Sequence, residues 1–201
     1  MIQPLGVILA GGRATRMGGG DKGLLSLSGT TILTYVIDRL SPQVAALALN
    51  ANGDPARFKE FDLPVVPDNF EGFAGPLAGV LAGLDWAAGA GGDCIVTAAA
   101  DTPFFPADLV ARLLLAAEEN QMPIALARTD EGRHPTFGLW PVNLRDNLRA
   151  ALEKGTRKVV AWTEEHGTAY ADFPTVGFDP FFNVNTPDDL ADAETLLEAA
   201  Q

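Results

Sequence analysis

Three cationic side chains stand in a glycine-rich run near the amino terminus of an otherwise acidic chain. Arg13, Arg16 and Lys22 lie within ten residues, whereas the whole sequence of 201 residues has 14 lysines and arginines and a net charge of −12. Six glycines fall between positions 11 and 23. Bare backbone can approach a ligand closely and turn its N–H groups toward an anion. The run therefore predicts a phosphate-binding loop, and a glycine-rich surface loop is the alternative.

Two common glycine motifs do not account for this loop. Residues 18–23 satisfy G-x-G-x-x-G, but that fingerprint belongs directly after a strand, and here eight residues separate it from the apolar run at 5–9. A Walker A loop needs Gly-Lys followed by Ser or Thr, whereas Lys22 stands between Asp21 and Gly23. What remains is a long loop between a strand and a helix, with two arginines and a lysine to bind phosphate.

Strand-like and helix-like patterns alternate along the chain around this loop. Regular alternation with short connections predicts an α/β fold, a three-layer α/β/α arrangement with a mainly parallel sheet. The predicted strands are 5–9, 44–50, 63–66, 93–99, 123–127 and 135–140, with extended segments at 169–173 and 181–184. The predicted helices are 30–40, a short one at 55–61, one beginning at 76, and 107–120, 143–152, 158–166 and 187–199.

Composition predicts one globular domain, residues 1–201. Hydrophobic residues make up 47% and charged residues 20% of the chain, which suits a single core of this size. No apolar run is long enough to span a bilayer. Cys94 is the only cysteine, which excludes an intramolecular disulfide and favours a reducing compartment. A net charge of −12 argues against nucleic acid as a partner. We expect a cytoplasmic protein that binds neither nucleic acid nor membrane, and a monomer.

Polar side chains follow the predicted strands where a ligand crevice is expected. In an open α/β sheet the crevice lies at the carboxyl ends of the strands. Asn50 and Asn52 follow the second strand, and their amides suit hydrogen bonds to a base or a sugar. Asp68 follows the third strand, and Asp101 the fourth. Asn50, Asn52 and Asp68 are equally compatible with ordinary turns.

Asp101 is the sharpest of these candidates. It stands at the tip of an apolar strand and is followed by Thr102 and Pro103. Mg²⁺ in phosphate sites takes one or two carboxylates together with phosphate oxygens and waters. With a phosphate loop at the same edge, Asp101 is predicted to bind the metal, and the alternative is a cap on the next turn. Gly75-Pro-Leu-Ala-Gly79 predicts a helix start that is open to a base or a phosphate, or else a plain helix start.

The run Leu9-Ala-Gly-Gly-Arg-Ala-Thr-Arg-Met-Gly-Gly-Gly-Asp-Lys-Gly-Leu-Leu25 resembles the signature of the nucleotidyltransferases. More narrowly, it is similar to the molybdenum cofactor guanylyltransferases, which join GMP from GTP to molybdopterin. The N-A-N, Asp, G-P-L-A-G and D-T-P elements at the strand ends follow in the same order and spacing. Downstream, His134-Pro-Thr136 and Phe182-Asn-Val-Asn-Thr-Pro187 resemble elements on the pterin side. The resemblance covers residues 7–187, and about 141–180 carries no motif.

This resemblance implies a Rossmann-like, glycosyltransferase-A-like nucleotidyltransferase sheet, with a nucleotide-binding half at 1–101 and an acceptor-binding half at 102–201. It implies GTP and Mo-molybdopterin as substrates, Mg²⁺ as the cofactor, and molybdenum-insertion enzymes and apo-molybdoenzymes as partners. Asp101 would hold the metal, with Lys22 and Arg16 beside it as catalytic residues. The implied ligand contacts are Leu9, Ala10, Gly11, Gly12, Lys22, Asn50, Asp68, Gly75 and Asp101 on the nucleotide side and His134, Asn183 and Asn185 on the pterin side.

Some departures from related patterns leave alternatives open. Related nucleotidyltransferases are expected to place a second carboxylate near 183–185, where this chain has asparagines, although Asp179 is close in sequence. The cytidylyl branch tends to show A-A-G-x-S-x-R-M-G without D-K-G or G-P-L-A-G, so GTP is favoured over CTP. A sugar-1-phosphate nucleotidyltransferase would carry G-T-R-(L/M) and a later Pro-Lys. A GTP-binding module without turnover is the third alternative.

Overall fold

A seven-stranded sheet forms the centre of the fold. The computed structural model describes residues 3–11, 21–70 and 75–199. Within them the sheet strands run in the order β5-β4-β1-β6-β8-β7-β9, and β2 pairs with β3 in a separate hairpin. The strands are β1 (Leu5–Leu9), β2 (Ser26–Leu27), β3 (Thr30–Thr31), β4 (Leu47–Asn50), β5 (Val65–Val66), β6 (Cys94–Ala99), β7 (Ile124–Thr129), β8 (Gly132–Pro141) and β9 (Thr168–Asp172).

The sheet is parallel except at one strand. β1 pairs in parallel with β4 and β6, β4 with β5, and β7 with β9. β8 runs antiparallel to both of its neighbours, β6 and β7. The prediction of a mainly parallel sheet is confirmed. As a result, the carboxyl ends of six strands and the amino end of β8 lie along one edge of the sheet.

Helices cover both faces of the sheet. Neighbouring residues on a strand point to opposite faces, and Val7 and Ile8 of β1 accordingly belong to two separate hydrophobic cores. The first and third helices pack on one face, and the second, fourth and fifth on the other, which confirms the three-layer prediction. The helices are α1 (Ile32–Leu40), α2 (Pro76–Gly89), α3 (Leu109–Asn120), α4 (Arg145–Glu153), α5 (Val159–His166) and α6 (Pro187–Ala199). None of the helices in the described ranges is long and apolar enough to cross a membrane.

The predicted extended segment at 181–184 is not a strand. Within the described residues it pairs with no strand, and its Val184 N–H donates a hydrogen bond of 2.9 Å to the carbonyl of Asp101. Val184 is fully buried in a third apolar cluster with Leu27, Phe104 and Ala193 of α6. The segment therefore lies against the end of β6 instead of extending the sheet.

Four smaller differences concern the type, the bounds or the presence of single elements. The helix at 55–61 is a 3-10 helix, Pro55–Phe61, and the strand at 44–50 begins only at Leu47. The β2–β3 hairpin was not predicted, because two-residue strands carry no periodic signal. β8 is longer than predicted, and its amino end reaches the edge where the polar residues lie.

Candidate functional site

The backbone at the end of β1 is held between the two neighbouring strands. The Ala10 N–H donates to the carbonyl of Asn50 over 2.8 Å, and the Leu9 carbonyl accepts from the Ala100 N–H over 3.2 Å. Gly11 is exposed, and a Cβ built on it would meet open space. The polar edge is the edge of the sheet that holds the carboxyl ends of six strands and the residues that follow them. The loop predicted to bind phosphate therefore leaves the sheet at the end of β1, between β4 and β6 on the polar edge. Gly12 and Arg16, which the sequence places in that loop, lie outside the described residues.

An amide and carboxylate cluster occupies the ends of β4 and β5. The side-chain amide of Asn50, which is only 3% exposed, donates to the Val66 carbonyl over 3.1 Å and to Asp68 Oδ1 over 2.8 Å. Asn52 donates to Asp68 Oδ2 over 2.7 Å and accepts from the Asp68 N–H over 2.9 Å. Each carboxylate oxygen of Asp68 thus receives one amide donor. The carboxylate is fixed in place, and its remaining lone pairs can accept from a ligand donor.

Two glycines let α2 approach this cluster. A Cβ on Gly79 would overlap the amide oxygen of Asn50 and lie 2.9 Å from Leu9 Cδ2. Gly75 precedes the helix with φ +64°, a conformation that favours glycine, and Pro76 begins the helix. Gly75 and Pro76 are exposed. The amino end of α2 is therefore accessible beside Asn50, as the G-P-L-A-G motif predicted.

Lys22 and Asp101 meet at the end of β6. Lys22 Nζ lies 3.5 Å from Asp101 Oδ2 and donates a hydrogen bond to Asn185 Oδ1. The two charged side chains are 20% and 22% exposed, so the pair is partly shielded yet open to a ligand. Gly23 makes this approach possible, because a Cβ there would lie 3.2 Å from the Ala100 carbonyl oxygen. The structure thus brings together a cation and a carboxylate that are far apart in the sequence.

The segment before α6 closes this part of the site. Thr102 Oγ1 donates to Asn183 Oδ1 and lies 3.4 Å from Asp101 Oδ1. The N–H groups of Asn185 and Thr186 both donate to Asp189 Oδ2 over 2.8 Å. Partial burial alone would raise the pKa of Asp189, but these backbone hydrogen bonds lower it below its usual value. An ionised Asp189 therefore caps α6 and holds the asparagine segment against Asp101.

His134 forms a separate group at the amino end of β8. Its ring stacks on Phe181 with centroids 4.5 Å apart, and its Nε2 lies 2.9 Å from Thr129 Oγ1 and 3.6 Å from Asp179 Oδ2. Burial lowers the pKa of His134, against the raising effects of Asp179 and Glu131. A neutral imidazole at pH 7 follows. Among the described residues, no hydrogen bond or ion pair joins His134 to Lys22 or Asp101.

The donor set around Asp101 is suited to a metal that also binds phosphate. Within residues 3–11, 21–70 and 75–199, no three His, Cys, Asp or Glu side chains are placed to hold a metal ion by themselves. Asp179 is engaged elsewhere, with Oδ1 accepting from the Phe181 N–H over 2.8 Å. One carboxylate with neutral amide oxygens nearby fits Mg²⁺, which keeps several waters and takes its other ligands from substrate phosphates.

Sequence reasoning missed several residues that hold the site in place. The sequence assigns Thr102 no role beyond following Asp101, and it does not single out Thr129, Asp189 or Arg57. Arg57 pairs with Asp21 at the end of the glycine-rich loop. Serine, threonine and aspartate close before a helix are a capping signal, and that signal would have found Asp189 through Thr186. Nothing in the local sequence marks Arg57 or Thr129.

Comparisons with known proteins agree with this geometry. Residues 6–169 match the family model described as the MobA-like NTP transferase domain. The chain is 52% identical over 199 residues to the molybdenum cofactor guanylyltransferase of Mesorhizobium japonicum, covering 96% of both chains. It is 53% identical over 194 residues to the Bradyrhizobium protein of the same name, covering 95% of this chain and 92% of that one. The crystal structure of the molybdopterin-guanine dinucleotide biosynthesis protein A from Archaeoglobus fulgidus superposes with a TM-score of 0.76 at 25% identity, covering 97% and 99% of the two chains.

Proposed function

Because the chain belongs to the molybdenum cofactor guanylyltransferases of the MobA-like NTP transferase family, we propose that it transfers GMP from GTP to the phosphate of Mo-molybdopterin. The products are the molybdopterin guanine dinucleotide form of the cofactor and pyrophosphate. The enzyme is a nucleotidyltransferase, and its site is the polar edge of the sheet from β5 to β6.

One observation carries this proposal. Lys22 of the glycine-rich loop and Asp101 at the end of β6 lie 3.5 Å apart. Two strands away, the carboxylate of Asp68 is hydrogen-bonded to the side-chain amides of Asn50 and Asn52. A cation beside a carboxylate suits a metal-bound phosphate chain. A carboxylate fixed by amides suits the N–H donors of a purine such as guanine. The edge therefore supports a nucleotide that lies across β4, β1 and β6.

The reaction needs no nucleophile from the protein. A phosphate oxygen of molybdopterin forms a bond to the α-phosphorus of GTP, the bond from that phosphorus to the bridging oxygen of the β-phosphate breaks, and pyrophosphate leaves with the electron pair. The protein positions the two reactants and neutralises charge. Lys22 and the backbone N–H of Gly11, which lies beyond the end of β1, are proposed to supply the positive potential, and Arg16 is proposed to add to it.

Mg²⁺ is proposed as the cofactor, with Asp101 as its protein ligand. When bound, the ion offsets the negative charge of the phosphates. Thr102 and Lys22 orient the Asp101 carboxylate through its two oxygens. Asn183 and Asn185 place amide groups next to this carboxylate and are proposed, with His134, to face the acceptor.

Partners of this chain follow from the proposed product. A completed dinucleotide cofactor has to pass to enzymes that use it, and the acceptor has to come from enzymes that insert molybdenum. We therefore propose apo-molybdoenzymes and molybdenum-insertion enzymes as partners. The chain is proposed to act as a cytoplasmic monomer.

Pyrophosphate release tests the proposed function. The purified chain is incubated with Mg²⁺ and GTP or CTP, each with molybdopterin or with a sugar 1-phosphate as the acceptor. We expect release with GTP and molybdopterin and little with the other three combinations. Preference for CTP would favour the cytidylyl reaction, release with the sugar phosphate would favour a sugar nucleotidyltransferase, and release with no combination would favour a binding module.

A further inference from the structure

Arg57 links two loops at the polar edge that are far apart in the sequence. It lies in the 3-10 helix Pro55–Phe61, which follows β4. Its Nε donates to Asp21 Oδ2 over 2.5 Å, and its Nη2 lies 3.4 Å from Asp21 Oδ1. The two side chains are 28% and 19% exposed. The ion pair therefore fastens the end of the glycine-rich loop to the chain after β4.

The remaining donors of the same guanidinium hold the loop after β4. Arg57 Nη1 donates to the Asp54 carbonyl and Nη2 to the Asn52 carbonyl, each over 2.5 Å. The guanidinium carbon lies 4.5 Å from the ring centre of Phe58, which is buried. A planar guanidinium that donates from all three of its nitrogens is held in one orientation, which a lysine cannot reproduce.

Each end of this link is joined to a different part of the proposed site. Asp21 directly precedes Lys22, whose Nζ contacts Asp101 and Asn185. Asn52 accepts from and donates to Asp68. The path from Lys22 through Asp21, Arg57 and Asn52 to Asp68 thus joins the phosphate end of the edge to the base end.

The charge of Asp21 gives the link a second effect. A carboxylate next to Lys22 would repel the phosphates of a nucleotide and compete for the lysine ammonium group, because like charges at short range raise the energy of the bound state. Arg57 neutralises that carboxylate through the ion pair. Loss of Arg57 alone would leave the negative charge uncompensated.

We propose that Arg57 is a positioning residue for the nucleotide, which sets the distance between Lys22 and Asp68 through Asp21 and Asn52. This inference rests on the proposed function, since it assumes that Lys22 and Asp68 contact the same nucleoside triphosphate. Arg57 acts through its neighbours, so its substitution changes nucleotide affinity more than it changes the chemical step.

Calorimetric binding of GTP with Mg²⁺ to R57M, R57K, D21N and the D21N/R57M double variant tests this inference. We expect R57M to weaken GTP binding about tenfold, the order expected for contacting residues in one network, and R57K to restore part of the loss. The double variant binds GTP no more weakly than R57M, because removal of the Asp21 charge relieves the repulsion that R57M exposes. In turnover, the KM for GTP rises, whereas kcat and the KM for the acceptor change less than threefold.

R149M is the matched control. Arg149 of α4 makes an ion pair with Asp85 of α2 at 2.7 and 2.9 Å, with side chains 36% and 22% exposed. Asp85 also accepts from Asn69 over 3.3 Å, but no hydrogen bond in the described part of the chain joins this pair to Asp21, Arg57 or Lys22. R149M is expected to bind GTP as the wild type does. If R57M does not fold, as judged by its thermal transition, R57K keeps the test open, because it keeps a positive charge beside Asp21 and removes the forked hydrogen bonds; R57K is expected to bind GTP more weakly than the wild type.

Two results would overturn the inference in distinguishable ways. If the wild-type protein binds GTP and R57M binds it within twofold of the wild type, the link does not position the nucleotide, and the proposed function stays intact. Wild-type protein that does not bind GTP removes the proposed function and this inference together.

Discussion

Lys22 Nζ lies 3.5 Å from Asp101 Oδ2, although 79 positions separate the two residues in the chain. Two features bring them together. Gly23 lets the loop approach Ala100 closely, and the Val184 N–H holds the Asp101 carbonyl from the other side. The pair places one positive and one negative charge where the phosphates of a nucleotide are proposed to bind, so substitution of either residue should impair the reaction.

Asp101→Asn is expected to reduce turnover on the order of 100-fold, because a metal-binding carboxylate contributes several kcal/mol to charge stabilisation. The thermal transition should move by less than about 4 °C, since asparagine keeps the size of the side chain and the long ion pair with Lys22, at 3.5 Å, adds about 1 kcal/mol or less to folding. Pyrophosphate release and differential scanning calorimetry measure the two effects. Asp93→Asn, at the other end of β6, is the control and should leave turnover unchanged. Near-normal turnover of the Asp101 variant would remove its assigned role.

Lys22→Ala is expected to raise the KM for GTP between about 10- and 100-fold, since a hydrogen bond to a charged group contributes roughly 1.5–3 kcal/mol. Steady-state kinetics with varied GTP measures this effect. Lys154→Ala, at an exposed position after α4, removes the same charge from the chain elsewhere. An equal rise in KM for both variants would mean that the overall charge matters and that the position of Lys22 does not.

Gly79→Ala is expected to destabilise the fold by about 1–3 kcal/mol, because the added methyl group would overlap the Asn50 amide, which is buried and hydrogen-bonded. It should also weaken GTP binding, since Asn50 holds Asp68. Urea unfolding and calorimetry measure these changes. Gly89→Ala in the same helix meets open space and should be neutral or stabilising by up to about 1 kcal/mol. Equal stability of the two variants would contradict the close approach of α2.

His134 is expected to make folding sensitive to mild acid. Its pKa is lowered by burial from 6.5, so below about pH 6.5 the unfolded chain binds a proton that the folded chain resists. Stability should therefore fall as the pH decreases from 7.5 to 5.5, and His134→Gln should show a smaller loss over the same window. Urea unfolding at both pH values measures the difference. An equal pH dependence of the two proteins would show that His134 is not buried as a neutral ring.

The strand-end residues could be predicted from the sequence because their position depends on local patterns. Asn50, Asp68 and Asp101 each follow an apolar run, and parallel strands place their carboxyl ends at one edge. The alternation of apolar runs and helical spacing similarly predicted the three layers. These inferences need only the neighbours of each residue in the chain.

The supporting contacts could not be predicted in the same way, because they join residues that are distant in sequence. Arg57 reaches Asp21 across 36 positions and Thr102 reaches Asn183 across 81, and no periodicity marks either pair. The segment 181–184 has the composition of a strand, but its Val184 N–H donates to the Asp101 carbonyl, and Val184 packs in an apolar cluster with Leu27 and Phe104. Tertiary packing determined its conformation there, as it often overrides strand propensity.

The fate of isotopic label in GTP tests the central claim most directly. The chain is incubated with Mg²⁺, molybdopterin and GTP that carries phosphorus-32 in either the α or the γ position, and the products are separated by chromatography. The account predicts that α-label appears in the molybdopterin dinucleotide and γ-label only in pyrophosphate. Label from the γ position in the pterin product, or release of α-label only as free GMP, would contradict transfer of GMP to the molybdopterin phosphate.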